Sequence, residues 1–151
     1  MSSPIVIKRV QYSFNTDPNT LVNVLTEFAN HTPGVNIVAI VLRNIENDCT
    51  SVILVLGPPG ENSPVINKIA EDILKENSID YSRKKILEVL NIEVASATPG
   101  AYKQFYAALV KKCIEVDGSY IGEAEPNEII STFFDVKSSQ INKAKRILES
   151  V

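Results

Sequence analysis

The stretch SATPGAYKQFYAALVKKC, residues 96–113, joins an apolar, alternating segment to an amphipathic helix through Thr98-Pro99-Gly100. Its second part carries large apolar residues at intervals of three and four, which is typical of a helix with one buried face. Proline and glycine together mark the end of the strand and the start of the helix. The stretch therefore predicts a strand, a tight polar loop and a helix. Enzymes use this layout to present a nucleophile, and regulatory domains use it to hold a small ligand.

The composition of the 151-residue chain excludes several classes of protein. A net charge of −3 argues against a nucleic-acid surface, which needs clustered lysine and arginine. We interpret the basic runs at 82–85, 111–112 and 143–146 as solvated faces or helix ends. Cys49 and Cys113 are too few for a disulfide framework or a zinc site. We expect no metal and no cofactor.

Hydrophobic runs in the chain are too short for a membrane helix, which needs roughly 20 apolar residues. The N-terminus MSSPIVIKRVQ lacks the apolar core of a signal peptide. We therefore expect a cytoplasmic protein with neither a membrane nor a nucleic acid as a partner.

The first half of the chain predicts the order β-α-β-β-α. Strands are predicted at 5–15, 35–42 and 51–56, where β-branched residues are frequent. Two helices follow residues that favour helix starts, namely Thr16 or Asp17 before Pro18, and Ser63 before Pro64.

The second half predicts the same order of elements. A long strand at 84–97 leads into the helix of the opening stretch. Two further strands are predicted at 119–125 and 128–136, followed by a helix capped by Ser138 or Ser139.

The two halves are copies of one unit. Pro18 and Pro99 lie 81 positions apart, and the same offset aligns seven apolar pairs without a gap. The pairs are Leu21 with Tyr102, Val24 with Phe105, Leu25 with Tyr106, Phe28 with Leu109, Val35 with Val116, Ile40 with Ile121 and Val55 with Val136. A β-α-β-β-α-β unit is the ferredoxin-like arrangement, with an antiparallel sheet and two helices on one face. We predict an α+β protein of two tandem ferredoxin-like units, at residues 1–83 and 84–151.

The second unit is predicted to lack a last strand of its own, because its final helix ends close to Val151. The segment 84–97 is long enough to close the first unit and to open the second. Its apolar phase also changes, from Leu87 and Val89 to the face that begins with Leu90. A change of phase fits a strand that packs against two partners.

The region IEVASATPGAYKQFYAALVKKCIEVDGSYIGEAEPNEIISTFFDV, residues 92–136, resembles the ACT domain family of small regulatory modules. TDPNTLVNVLTEF, residues 16–28, is similar to the same loop and helix, with Pro-Asn in place of Pro-Gly. The resemblance covers almost the whole chain as a tandem pair of ACT-like units. It implies a regulatory, non-enzymatic protein that binds an amino acid or a similar small metabolite between two units. It also implies a homodimer and a regulated enzyme as a partner.

The resemblance implies ligand-binding residues in the loop after the first strand of each unit and at the start of the second strand. In the second unit these are Thr98, Pro99, Gly100, Ala101, Asp117, Gly118 and Ser119. In the first unit they are Asn15, Asp17, Pro18 and Asn19, with residues 35–37.

The chemistry of a helix start gives a physical reason for a site at Gly100. Unpaired backbone N–H groups and a partial positive charge at that point suit a carboxylate. The alternative is that Thr98, Pro99 and Gly100 only cap the helix and turn the chain. His31, the one histidine, is assigned to the carbonyl groups at a helix end.

Three classes of function remain open from the sequence. A metabolite-binding regulatory module leads, a protein-interaction module without a metabolite comes second, and an enzyme comes third. Strand 35–42 is apolar on both faces, so we also expect an open face or edge of the first unit to be buried against the second unit or a second chain.

Overall fold

The fold is taken from a computed structural model, which describes residues 4–58, 60–91, 100–122 and 130–151. The strands are β1 Ile5–Thr16, β2 Ile37–Glu46, β3 Cys49–Leu56, β4 Ser82–Asn91, β5 Val116–Ile121 and β6 Ile130–Val136. The helices are α1 Pro18–Asn30, α2 Pro64–Glu76, α3 Gly100–Lys111 and α4 Ile141–Glu149. The strands follow the order β2-β3-β1-β4-β6-β5 in the sheet. The predicted α+β class is confirmed.

The first two helices begin where their sequences predict. Asp17 caps α1 by accepting a hydrogen bond from the backbone N–H of Thr20, and Ser63 caps α2 in the same way for Ile66. A proline follows each cap, where its missing N–H costs no hydrogen bond. Helix α4 differs from its prediction, because neither serine caps it. Residues Ser138–Gln140 form a 3₁₀ turn instead, and α4 begins at Ile141 without a side-chain cap.

Residues 10–84 form one compact unit. Strand β3 pairs antiparallel with both β1 and β2. Alternate residues of β1 point to the helices, because side chains of a strand alternate between its two faces. The core of this unit combines these residues with one face of α1 and one face of α2: Val10, Tyr12, Phe14, Leu21, Val24, Phe28, Val52, Leu54, Ala70, Ile73 and Leu74.

Residues 1–9 and 85–151 form the other compact unit. Strand β6 pairs antiparallel with both β4 and β5. The start of β1 lies next to β4 and contributes Val6 to the core of this unit. The prediction that the second unit lacks its own last strand is therefore confirmed, and the N-terminal segment supplies the missing strand. The core also includes Leu87, Val89, Phe105, Leu109, Phe134, Val136, Ala144 and Leu148.

Strand β4 contributes residues 82–84 to one unit and 85–91 to the other. The remainder of the predicted strand 84–97 lies outside the described residues. Strand β5 begins at Val116, three residues earlier than predicted, and ends at Ile121. The predicted division of the chain into units 1–83 and 84–151 stays a prediction.

Candidate functional site

The start of α3 is tied to β5 by a side-chain hydrogen bond. The hydroxyl of Tyr102, in the first turn of α3, lies 2.7 Å from the Oγ of Ser119 on β5. The Ser119 hydroxyl in turn donates to the carbonyl oxygen of Phe133, at 2.8 Å. The ring of Tyr102 stacks on Phe134, with 5.7 Å between ring centroids. Two of the predicted regions, the helix start and the second strand, are thereby brought together.

Gly100 is the first residue of α3. Apart from its chain neighbours and the backbone of α3, no described residue has a heavy atom within 4 Å of the position that a Cβ atom would take at Gly100, and its φ angle is not left-handed. Neither backbone conformation nor packing against the described residues therefore requires a glycine here. Ala101 follows it in the helix. The predicted residues Thr98 and Pro99 lie outside the described part of the chain.

The start of β5 carries an excess of negative charge. Glu115 forms an ion pair of 2.7 Å with Lys137. The hydrogen bond to Glu115 and its charge, with the charge of Asp117, raise the pKa of the Lys137 ammonium. Asp117 is exposed, and its charge acts on the same ammonium of Lys137.

Gly118 is not required by packing, and most of the hydrogen-bonding capacity of Ser119 is used within the protein. A Cβ at Gly118 would lie 3.8 Å from the Cβ of Asp135, which is normal van der Waals contact. The Ser119 hydroxyl already takes part in two hydrogen bonds, so only one oxygen lone pair remains for a ligand.

At the corresponding helix start in the other unit, the side chain of the cap residue Asp17 already accepts a hydrogen bond from the helix backbone. The Asp17 carboxylate accepts hydrogen bonds from the backbone N–H of Thr20 at 2.8 Å and from the Thr20 hydroxyl at 2.7 Å. These bonds lower the pKa of Asp17. Asn15 and Asn19 are exposed on either side of this cap. A ligand carboxylate at α1 would therefore compete with the Asp17 carboxylate.

The segment before β2 is held by backbone hydrogen bonds. The N–H of Val35 donates to the carbonyl of Phe28, and the carbonyl of Asn36 accepts from Gly57. The ring of His31 lies 3.0 Å from the carbonyl oxygen of Pro33, so it contacts the loop after α1 and not a helix carbonyl. The sequence analysis placed this ring at the helix carbonyls because the residue directly follows α1.

A polar cleft of about 550 Å³ lies at the end of β1 and includes one predicted residue, Asn15. Its other lining residues are Ser13, Phe14, Ser51, Ser78, Asp80 and Ser82. This group could not be predicted from local sequence, because its members come from three separate segments of the chain.

Two buried acidic residues were also missed. Glu71 of α2 accepts hydrogen bonds from Tyr12 at 2.6 Å and from Arg83 at 3.1 Å. Glu88 of β4 forms a buried ion pair with Arg9 of β1, at 3.3 Å. The sequence offered one indication for each residue. Glu88 is a charged residue within an apolar strand, and Glu71 is a charged residue on the buried side of a helix.

No protein-family model matches the chain, and no curated protein matches it significantly. Solved structures do match. The regulatory subunit of aspartate kinase from Thermus thermophilus aligns with 99% of this chain and 96% of its own, at 14% identity and a TM-score of 0.65. Its counterpart from Thermus flavus has a TM-score of 0.61 at 12% identity over 99% and 96%. The fold is ACT-like.

A third structure, of a protein from Bacteroides thetaiotaomicron, covers 99% of this ACT-like chain and 90% of its own, at 16% identity and a TM-score of 0.66. At these identities the likeness concerns the fold. Among the described residues of the ACT-like chain, no three His, Cys, Asp or Glu side chains are grouped as metal ligands. None of the helices in the described segments has the length and apolar character needed to cross a membrane.

Proposed function

We propose that this chain is a non-enzymatic regulatory protein that binds an amino acid or a similar small metabolite at the start of α3. The observation that carries the proposal is the contrast between the two helix starts. Asp17 already accepts a hydrogen bond from the backbone N–H of Thr20 in α1, whereas Gly100 opens α3 without a side chain and has no other described residue packed where a side chain would begin. A ligand carboxylate at α3 would accept hydrogen bonds from the backbone N–H groups of Gly100 and Ala101.

The charge at the start of β5 supports an amino acid over a simple carboxylic acid. A free amino acid carries an ammonium group beside its carboxylate. Glu115 and Asp117 place two exposed carboxylates at the start of β5, and their negative charge would attract that ammonium although Lys137 partly neutralises Glu115. Tyr102 and Ser119 connect the helix start to this strand, and Ser119 keeps one lone pair for a ligand donor.

The proposal includes a homodimer, a cytoplasmic location and a regulated enzyme as partner. Aspartate kinase regulatory subunits share the fold, which supports a regulatory role for this chain.

A thermal-shift screen against the twenty amino acids and common metabolites tests the proposal. A ligand that binds only the folded protein raises the melting temperature, and the rise grows with the logarithm of the ratio of ligand concentration to Kd. We expect at least one α-amino acid to raise it, and the corresponding amine without a carboxylate to have no effect. If no amino acid or metabolite shifts the melting temperature at millimolar concentration, the metabolite-binding proposal is wrong.

A protein-interaction module is the second candidate function. The exposed apolar side chains of β2 favour it: Ile40, Val41, Leu42 and Ile45 are all exposed on this strand. An apolar surface of this kind is typical of a contact with another protein. In a metabolite-free module, the protein would bind its partner equally well with and without amino acids.

A further inference from the structure

A cleft of about 620 Å³ lies between the start of β1 and one side of α4, within the unit formed by residues 1–9 and 85–151. Its lining residues are Val6, Ile7 and Lys8 of β1 and Asn142, Lys145, Arg146 and Glu149 of α4. The α4 residues are spaced at three and four positions, so they share one side of the helix. The cleft shares no residue with the site proposed at the start of α3.

Positive charge dominates this cleft. It has three cationic side chains and one carboxylate, Glu149, which Lys145 engages at 3.1 Å. Within the described segments, no carboxylate forms an ion pair with Lys8 or Arg146. The whole chain carries a net charge of −3, so this local excess is not part of a generally basic surface. The structure also divides the basic run 143–146, because Lys145 and Arg146 line the cleft and Lys143 does not.

The cleft also has an apolar part. Val6 lies at its floor and is buried, while the side chain of Ile7 points to the other face of β1. The methylene groups of lysine and arginine add further apolar surface below their charged ends. Arginine forms paired hydrogen bonds with carboxylate and phosphate groups, and lysine provides a point charge for the same groups.

We propose that this cleft binds a small organic anion, with its phosphate or carboxylate group held by Lys8 and Arg146 and its apolar part against the methylene groups of Lys8, Lys145 and Arg146. Asn142 supplies an amide donor at the edge. A nucleic acid is a poorer fit, because backbone phosphates require an extended basic surface and this one is limited to one nine-residue helix and the start of one strand. Such an anion would be a second ligand of the protein, in addition to the one proposed at α3.

Isothermal titration calorimetry with phenyl phosphate and with benzoate tests this site, since the two probes share a ring and differ in the anion. We expect at least one to bind, and the tighter of the two identifies the preferred group. Arg146→Gln and Lys8→Gln should each weaken binding about tenfold or more, because each removes a charged hydrogen-bond donor. Lys143→Gln removes the same charge from the same helix outside the cleft, and should leave Kd within about twofold.

Either of two results would overturn the proposal. One is the absence of binding by both probes at low ionic strength. The other is an equal loss of affinity in Lys143→Gln and Arg146→Gln, which would show only a general charge effect. If the first result is accompanied by binding of single-stranded DNA or of phosphatidylserine vesicles, the cleft serves a macromolecular partner instead. Circular dichroism and the melting temperature of each variant verify folding, which is expected because Lys8 and Arg146 are exposed.

Discussion

The hydroxyl of Tyr12 on β1 donates a hydrogen bond of 2.6 Å to the carboxylate of Glu71 on α2, across 59 positions of sequence. Tyr12 is completely buried, and Tyr81 and Arg83 also approach the same carboxylate. The bond links the sheet to a helix inside the core of the unit formed by residues 10–84. Because its acceptor is a carboxylate, this hydrogen bond is stronger than one between two neutral groups.

Tyr12→Phe should lower the free energy of unfolding by about 1.5–3 kcal/mol, since it removes a hydrogen bond to a charged group and leaves the ring in place. Tyr81→Phe is the matched control, because its hydroxyl lies at 3.4 Å from Glu71 and the bond is weaker. Urea unfolding monitored by circular dichroism measures both variants. A cost for Tyr12→Phe no larger than that for Tyr81→Phe would contradict the importance of this bond.

Alkaline pH should destabilise the protein through two tyrosines. Burial and the bond to Glu71 raise the pKa of Tyr12, and burial with the charge of Asp135 raises the pKa of Tyr120. In the unfolded chain both lose their protons near pH 10. The stabilisation is therefore complete below pH 10 and is lost as pH rises above it, by at most about 1.4 kcal/mol per pH unit for each tyrosine.

The unfolding free energy measured from pH 9 to 12 checks this expectation. Tyr12→Phe should reduce the slope above pH 10, and combining it with Tyr120→Phe should reduce the slope further. An unchanged slope in the double variant would show that other groups cause the alkaline loss of stability.

The ion pair between Arg9 and Glu88 should be costly to break from one side. Both side chains are fully buried, and removing one partner deprives the other buried charge of this ion pair. Arg9→Met and Glu88→Leu should each lower the unfolding free energy by about 3–5 kcal/mol. The double variant should lose less than the sum of the two, because it removes both charges of the pair together. Strictly additive losses in a double-mutant cycle would contradict this coupling.

Gly100→Val should abolish binding of the amino acid proposed above and leave the fold nearly unchanged. The new side chain would enter the space in which the ligand carboxylate is proposed to bind, and its Cβ atom would lie more than 4 Å from every described residue outside α3. The unfolding free energy should change by less than about 1 kcal/mol, since only helix propensity is affected. Asn19→Val, at the equivalent position of α1, is the control and should retain binding. An affinity untouched by Gly100→Val would mean that the loop is only a turn.

The apolar surface of β2 should determine the oligomeric state. We expect Leu42→Glu to convert a homodimer to a monomer in light scattering at micromolar concentration, since it introduces a charge among exposed apolar side chains. Val22→Glu is the control, because Val22 is an equally exposed apolar residue on α1. A native protein that is already monomeric would refute the homodimer, and equal effects of the two variants would exclude β2 as its surface.

The residues of the proposed ligand site were only partly predictable from local sequence. Gly100 and Asp117 follow from the position of a helix start and a strand start in the repeat. The sequence predicts that Asp17 caps α1. The contrast with α3 depends on the surroundings of Gly100, which only the structure gives. The helical spacing of apolar residues includes Tyr102, which indicates only that its ring faces the buried side of the helix. Its hydrogen bond to Ser119 cannot be predicted from any periodicity in the sequence.

The sequence by itself determined the repeat, the α+β order and the first two helix starts, because these depend on neighbours within a few residues. Asp17-Pro18 and Ser63-Pro64 specify helix starts through hydrogen bonds to the first turn. Only the tertiary structure decided that residues 5–9 complete the unit of residues 85–151. The pair of Arg9 and Glu88 joins positions 79 residues apart, and such a contact depends on which strands become neighbours in the sheet. Local propensity and periodicity carry no information about that choice, because they describe one strand at a time.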